Sequence, residues 1–534
     1  MRNFELPGRS TVMAETGAVA TSHPLATSAA LRVLMDGGNA VDAAITAVLV
    51  LCVVEPQSVG IGGDMFALYA EGGRLPVHGL NASGRSPRAA SFEDVSAAFP
   101  GAVKPVRNHP HAVTVPGAVD GYLTLLERFG TYGIDRAIEP ARRYAADGFP
   151  VHDRVRSDWR LEVELIKQDP DAVAALLAGG RLPALGQRMA FPALARTLAE
   201  IGAKGRSGFY DGWVLEDMLS KLNAGGGLHQ AADFSATESS WVDPISTDYK
   251  GYQLWEIPPN GQGLVALEIL QILQRLEAAS GDPLSLTRFH QQIEASHLGY
   301  ADRDAFFAEL RDMPTTVDAV LDPARMDAQA ARITMDGTLS PVPVPDYPGQ
   351  SDTVYLTVVD RDRNAVSLIS SVFDSFGSTI TAPKSGVVFQ NRGRSFRIDD
   401  PNHPNAYGPA KRPMHTIIPA MLTRGDAVQM SFGVMGADYQ PQGQAHVLTS
   451  MIDYGLDIQA ALDLPRVHAS PKTGGVQCEA GIPPMLRQGL QDLGHRLEIP
   501  EKAIGGGQGI WLHHDTGFLS AGSDPRKDGQ AAGF

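Results

Sequence analysis

Cysteine is almost absent from this 534-residue chain, which has only Cys52 and Cys478. Two thiols cannot build a disulfide framework, and neither belongs to a C-x-x-C pair that would suggest a metal or redox motif. Long hydrophobic runs are missing too. The longest, Ala43–Val54, is too short to span a bilayer and is closed by Asp42 and Glu55. Basic clusters are lacking: 45 Lys+Arg stand against 60 Asp+Glu, a formal net charge of −15. With no concentrated basic patch to release counterions, nucleic acid is excluded as a partner and an anionic membrane surface is disfavoured. Residues 1–19 contain no apolar h-region, so no signal peptide is read and a cytoplasmic location is expected.

What remains is the composition of a globular protein with room for a sizeable core. Hydrophobic residues make up 43%, charged 20% and aromatic 7%, which rules out a disordered chain or a coiled coil. The 56 glycines follow no G-X-Y period, so collagen is excluded as well.

Residues 17–22 read as a short strand, followed by a helix from Pro24 to Asp36 that Gly37-Gly38 terminates. Asn39 is placed to cap a second, apolar helix running to Val54. The glycine-rich loop Ser58–Asp64 then leads into the strand MFALYAEGG. This loop fails G-x-G-x-x-G at Met65 and precedes a strand, so a close backbone turn is the simpler explanation. The middle third reads as helical, in LTLLERFG, RAIEPARRYAADG, LVALEILQILQRLEAA and a helix from Leu286 to Leu310. Prolines crowd the segment Pro341–Asp352, and the pattern then changes. Thr353–Val359 and Ala365–Val372 are β-branched runs flanking the turn DRDRN, which is a hairpin signal.

Several catalytic signatures are absent. There is no G-x-S-x-G elbow, no P-loop and no H-E-x-x-H. His109/His111 and His513/His514 are short clusters without a matching partner set, so no metal and no cofactor is expected. The junction Asp352-Thr353 is different. A threonine hydroxyl is a weak nucleophile that needs a base, and a cut before Thr353 would free an α-amino group in the same residue. With a reference pKa of about 7.7–8.0, that amine is partly neutral near pH 7. Taken alone, Thr353 reads more simply as an ordinary edge-strand residue after a linker.

The segments TSHPLAT, GGNAVDAA, VVEPQSVGIGGDMF, TVPGAVDGY, PPNGQG, ADRD, DTVYLTVVDRDRNAVS, YGPAKRPMHTIIP, MIDYGLDIQAALDLPRVH and SDPRKDG occur in this order from residue 21 onward. The chain thereby resembles the γ-glutamyltransferase family of N-terminal-nucleophile hydrolases. The resemblance implies an α+β fold, a four-layer αββα sandwich. It also implies a proenzyme cut between Asp352 and Thr353 into a large fragment 1–352 and a small catalytic fragment 353–534, together one intertwined unit. The fragments are expected to form a heterodimer, and two heterodimers can pair further. Thr353 matches the nucleophile, and Ser371 matches a threonine that hydrogen-bonds it. Gly436 and Ala437 match a Gly-Gly pair whose amides form an oxyanion hole, a role that backbone donors keep after a Gly-to-Ala change.

The positions that would bind a γ-glutamyl group differ. Phe373, Arg392 and Ser395 stand where the resemblance implies Asn, Gln and Asp, and His415-Thr416 replaces a Ser-Ser pair. Arg85 lies two positions before Pro87 rather than four, and the lid segment before AYGPAKRP is short. Loss of a carboxylate that meets an α-ammonium costs roughly 2–5 kcal/mol, and a positive Arg392 would add to it. The expected substrate is therefore a small-molecule amide with a carboxylate-bearing acyl group, glutaryl- or oxamate-like, which Arg392 or Arg85 could pair. A true γ-glutamyl hydrolase or transpeptidase acting on glutathione-like donors is the alternative. A catalytically inactive binding protein is the reading from another class.

Overall fold

The computed structural model describes residues 8–277, 281–339 and 353–534. The proline-rich segment and Asp352 lie outside the described residues. Two seven-stranded sheets, antiparallel throughout, dominate the chain. The first runs in the spatial order Gln530–Gly533, Ala18–Thr21, Val354–Val359, Ala365–Ser371, Asp64–Ala70, Val77–Ala82, Ser240–Val242. The second runs Val12–Ala14, Leu519–Ser523, Gly506–Leu512, Ala427–Met435, Ala420–Arg424, Tyr252–Glu256, Ile245–Tyr249. Each sheet mixes strands from before and after position 353. The helices and antiparallel sheets make the fold α+β.

Alternation along one strand explains the packing. Val354, Leu356 and Val358 point into a cluster shared with the helices Pro24–Met35, Ala40–Val54 and Ala118–Phe129. Tyr355 and Val359 point the other way, into a cluster with Met421, Val428 and Ile510 of the second sheet. Both faces of the strand are buried, which is why TVYLTVV shows no polar alternation. A third cluster joins Leu254, Leu422 and Phe432 to the helices Gly263–Leu273 and Tyr439–Tyr454. The few polar groups between the sheets pair with one another: Thr357 Oγ1 donates to Ser431 Oγ at 2.7 Å, and Ser431 to the Val366 carbonyl at 3.1 Å.

The expected elements are present, most of them at close to the expected bounds, but the helix expected over residues 264–279 ends at Leu273. Every residue of Ala40–Val54 is buried, as a helix apolar all round requires. Asn39 and Asp42 close its N-terminus as a capping box. The helix expected to reach Leu310 stops at Phe306, where Phe307 turns extended. Among the described residues, no helix is long and apolar enough to cross a membrane.

Candidate active site

Thr353 immediately precedes the strand Val354–Val359, whose hairpin partner Ala365–Ser371 is paired in register from Val354↔Ser370 to Val359↔Ala365. That register brings the end of the second strand beside the start of the first. Thr353, almost fully buried, donates from Oγ1 to Ser371 Oγ at 3.3 Å. Ser371 Oγ in turn accepts the Phe373 amide at 2.8 Å. The glycine-rich loop fits against this point. A Cβ on Gly63 would lie 2.3 Å from the Ser371 carbonyl oxygen, and one on Gly62 would lie 2.2 Å from that of Val388. Close backbone approach, not phosphate binding, accounts for these glycines.

Thr353 also lines a cavity of about 180 Å³ together with Gly436 and Ala437. These two residues form the bend between the strand Ala427–Met435 and the helix Tyr439–Tyr454, with φ of 125° and 54°. Ala437 therefore holds a left-handed conformation that ordinarily favours glycine, at a cost of roughly 1–2 kcal/mol. Gln262 Nε2 donates to its carbonyl at 2.9 Å, and Arg303 binds Asp438 Oδ1 next door at 2.6 Å, so the bend is fastened from both sides. Arg154, Lys472, Lys502 and Lys527 line the same cavity, against the carboxylates of Asp438 and Glu501.

Four of the remaining expected residues gather at a neighbouring point, where Asp64 pairs with Ser371 across the sheet. Phe373, Arg392, His415 and Thr416 surround Asp64, a residue at the start of its strand that the sequence reading passed over. Arg392 forks onto Asp64, with Nε to Oδ2 at 2.9 Å and Nη2 to Oδ1 at 3.1 Å. Its Nη1 donates to Thr416 Oγ1 at 3.0 Å, and its guanidinium lies 4.4 Å from the centre of the Phe373 ring. His415 Nε2 is 2.8 Å from Asp64 Oδ2, and its Nδ1 accepts the Ile417 amide at 3.4 Å. Burial would raise the Asp64 carboxyl, but Arg392 and then His415 outweigh it and hold it below its ordinary range. Burial, with Arg392 adding, pushes His415 down to about 4 against the pull of Asp64. The imidazole is thus neutral near pH 7, and Nε2 carries the proton that faces Asp64.

This arrangement corrects the expectation that Arg392 brings a surplus positive charge. Asp64, fully buried with it, neutralises the guanidinium, and the His415 imidazole beside them is neutral. Arg85 is likewise engaged: it pairs with Glu309 at 2.8 Å, donates to the Ala410 carbonyl at 3.0 Å and lines a separate small cleft beside Arg412. Ser395, buried in the short turn Arg392–Ser395, has its carbonyl held by Asn405 Nδ2 at 2.6 Å. His109, His111, His513 and His514 are not brought together with a third ligand. Among the described residues, a three-ligand group within metal-binding reach occurs only at His290, Glu294 and His495.

The gamma-glutamyltranspeptidase family profile matches residues 26–534. The glutathione hydrolase-like YwrD proenzyme of Bacillus subtilis is 35% identical over 526 residues, covering 97% of this chain and 98% of that protein. The oxamate amidohydrolase proenzyme of Klebsiella pneumoniae is 33% identical over 532 residues, with 97% and 98% covered. Among solved structures, the cephalosporin acylase from Bacillus halodurans superimposes with a TM-score of 0.92 at 38% identity, over 100% of this chain and 99% of its own.

Proposed function

This chain belongs to the gamma-glutamyltranspeptidase family as an amide-bond hydrolase or acyltransferase, and within it we propose a self-processing enzyme whose nucleophile is Thr353. The acyl group carries a carboxylate and no α-amine, glutaryl- or oxamate-like. One observation carries the reading: Thr353 Oγ1 meets Ser371 Oγ on the wall of a cavity that Gly436 and Ala437 share.

Processing breaks the bond between Asp352 and Thr353. The Thr353 hydroxyl attacks the preceding carbonyl, the acyl group passes from nitrogen to oxygen, and water hydrolyses the ester to leave a carboxylate and a free α-amine. In turnover that amine takes the hydroxyl proton while Oγ1 attacks the substrate carbonyl. The amides of Gly436 and Ala437 receive the developing oxyanion. The proton returns to the leaving amine, and water or a second amine resolves the ester. Fragments 1–352 and 353–534 would stay together, because each sheet hydrogen-bonds strands of one directly to strands of the other. The three hydrophobic clusters support a four-layer helix–sheet–sheet–helix order for the same unit.

Ser371→Ala removes the hydroxyl that positions Thr353. Processing or turnover is expected to slow by roughly 10- to 1,000-fold, the range for one lost hydrogen bond beside a nucleophile. Unchanged rates would mean that the 3.3 Å contact has no catalytic consequence.

Charge supports the acyl preference, by a route different from Arg392. Four cationic side chains line the cavity against two carboxylates; Arg303 binds Asp438, and Asp158 binds Arg154 at 2.8 Å and lies 3.9 Å from Lys527, so a positive excess remains after these pairs are counted. A substrate carboxylate is attracted there, whereas an α-ammonium meets like charge. The oxamate amidohydrolase relative supports this preference; the glutathione hydrolase-like relative favours the γ-glutamyl alternative. Comparing kcat/KM for glutaryl- and γ-glutamyl-p-nitroanilide, with oxamate as a third substrate, separates them. At least a tenfold preference for a substrate without the α-amine is expected, and a tenfold γ-glutamyl preference restores the alternative.

A further inference from the structure

A second buried cluster of titratable side chains takes no part in this chemistry. His290 and Glu294 lie one turn apart on the helix Leu286–Phe306. His495 reaches them from the segment between the helix Pro484–Asp492 and the strand Leu497–Glu498. All three are buried, and one ligand-capable atom of each lies within 4.8 Å of the others. The Thr334 carbonyl, 2.8 Å from His290 Nε2, can only accept, so that nitrogen carries the proton and Nδ1 presents a lone pair. The lone pair faces His495 Nε2 at 2.7 Å. Glu294 Oε2 accepts the Leu339 amide at 2.5 Å. Its Oε1 accepts no hydrogen bond among the described residues and lies 3.9 Å from His495 Nδ1. A buried carboxylate oxygen without a donor is costly and calls for a partner.

We propose that His290, Glu294 and His495 bind a divalent transition metal, zinc in the first instance, at a site joining the two parts of the chain that flank position 353. Two imidazole nitrogens and one carboxylate oxygen are a zinc-type donor set, leaving a fourth position for water. A backbone carbonyl on the far nitrogen of a ligating histidine is the outer contact that fixes such ligands. Burial keeps both imidazoles in the neutral, ligating form: His290 is pushed down, and His495 to about 3, with His290 and His297 adding to burial. Burial pushes the Glu294 carboxyl up, and a dication would supply the positive charge that its ionised form lacks. For His495 Nε2 to ligate, its proton moves to Nδ1, which faces Glu294. The two nitrogens then open to about 3.3 Å, as bonds of 2.0–2.1 Å at tetrahedral angles require. Thr334 and Leu339 belong to the stretch leading to the proposed cut, so the metal would anchor the end of one fragment against His495 of the other. The site is independent of the acyl chemistry.

The test uses the full purified protein, stripped with EDTA, dialysed and titrated with zinc chloride by calorimetry. A parallel titration with cobalt chloride is followed by visible absorption. Zinc is expected to bind at about one equivalent per chain and to raise Tm, and cobalt to give the intense bands of a four-coordinate site. His495→Ala and Glu294→Gln should each weaken zinc binding by about tenfold or more and abolish the Tm rise. Binding that survives in both variants would place the metal elsewhere and overturn the proposal. Should the variants fold poorly, the unaltered protein decides: no stoichiometric zinc, or only the weak spectrum of six-coordinate cobalt, also overturns it.

Discussion

Thr353→Ala is expected to leave a single uncut 534-residue chain and to abolish turnover, with kcat/KM falling by a factor on the order of 10⁴ or more. The reason is that one hydroxyl serves twice in the proposed mechanism. It attacks the preceding carbonyl in processing and the substrate carbonyl afterwards, and the amine that would assist the second attack exists only after the first. Thr353→Ser keeps the hydroxyl and should still be cut. Denaturing electrophoresis separates one band from two, and sequencing of the smaller fragment should begin Thr-Val-Tyr-Leu. The buried Thr353 side chain is small, so the Ala variant should melt cooperatively near the unaltered precursor. Cutting of the Ala variant at that bond would remove the intramolecular mechanism. A single band from the unaltered protein would favour the reading as an inactive binding protein.

The parts of this site that are legible in sequence are those whose partners lie close along the chain. Thr353 and Ser371 are 18 residues apart, and a two-residue alternation on either side of a turn is enough to lay one beside the other. The apolar run Ala40–Val54 and its Asn39 cap are local in the same way. Arg392 and Asp64 are separated by 328 residues, and nothing in their neighbourhoods marks them as a pair. Arg392 therefore looks like a spare charge when its surroundings are read from sequence alone. Its neutralisation follows only once the strands Ala365–Ser371 and Asp64–Ala70 pair and bring Ser371 opposite Asp64. The spacing of His290 and Glu294, one helical turn, is visible within the expected helix. Their partner His495 lies 205 residues beyond His290, so the pattern carries no metal signal by itself.

The second large effect is expected from Asp64→Ala. Arg392 and Asp64 are both fully enclosed, and the guanidinium gives Asp64 two of its five donors in a bidentate fork. Removing the carboxylate strands a buried cation, which costs about 3–5 kcal/mol, whereas replacing both partners by apolar groups of similar volume is often nearly neutral. Asp64→Ala should thus be strongly destabilised in urea unfolding, and Asp64→Leu combined with Arg392→Met should regain most of the loss. The pH dependence has a definite sign. The Asp64 carboxyl is held below its ordinary range, so its contribution is complete above the unfolded carboxylate pKa and is lost as pH falls through the depressed folded value. The consequence reaches the proposed nucleophile. Arg392 lies against the ring of Phe373, whose backbone is held at a φ of 76° and whose amide donates to Ser371 Oγ. Loosening Arg392 should therefore loosen the hydroxyl that positions Thr353, and the apolar double variant should recover stability before it recovers turnover. A loss below 1 kcal/mol in the single variant, or no recovery in the double, would mean that the pair is relaxed by solvent and does not hold Ser371 in place.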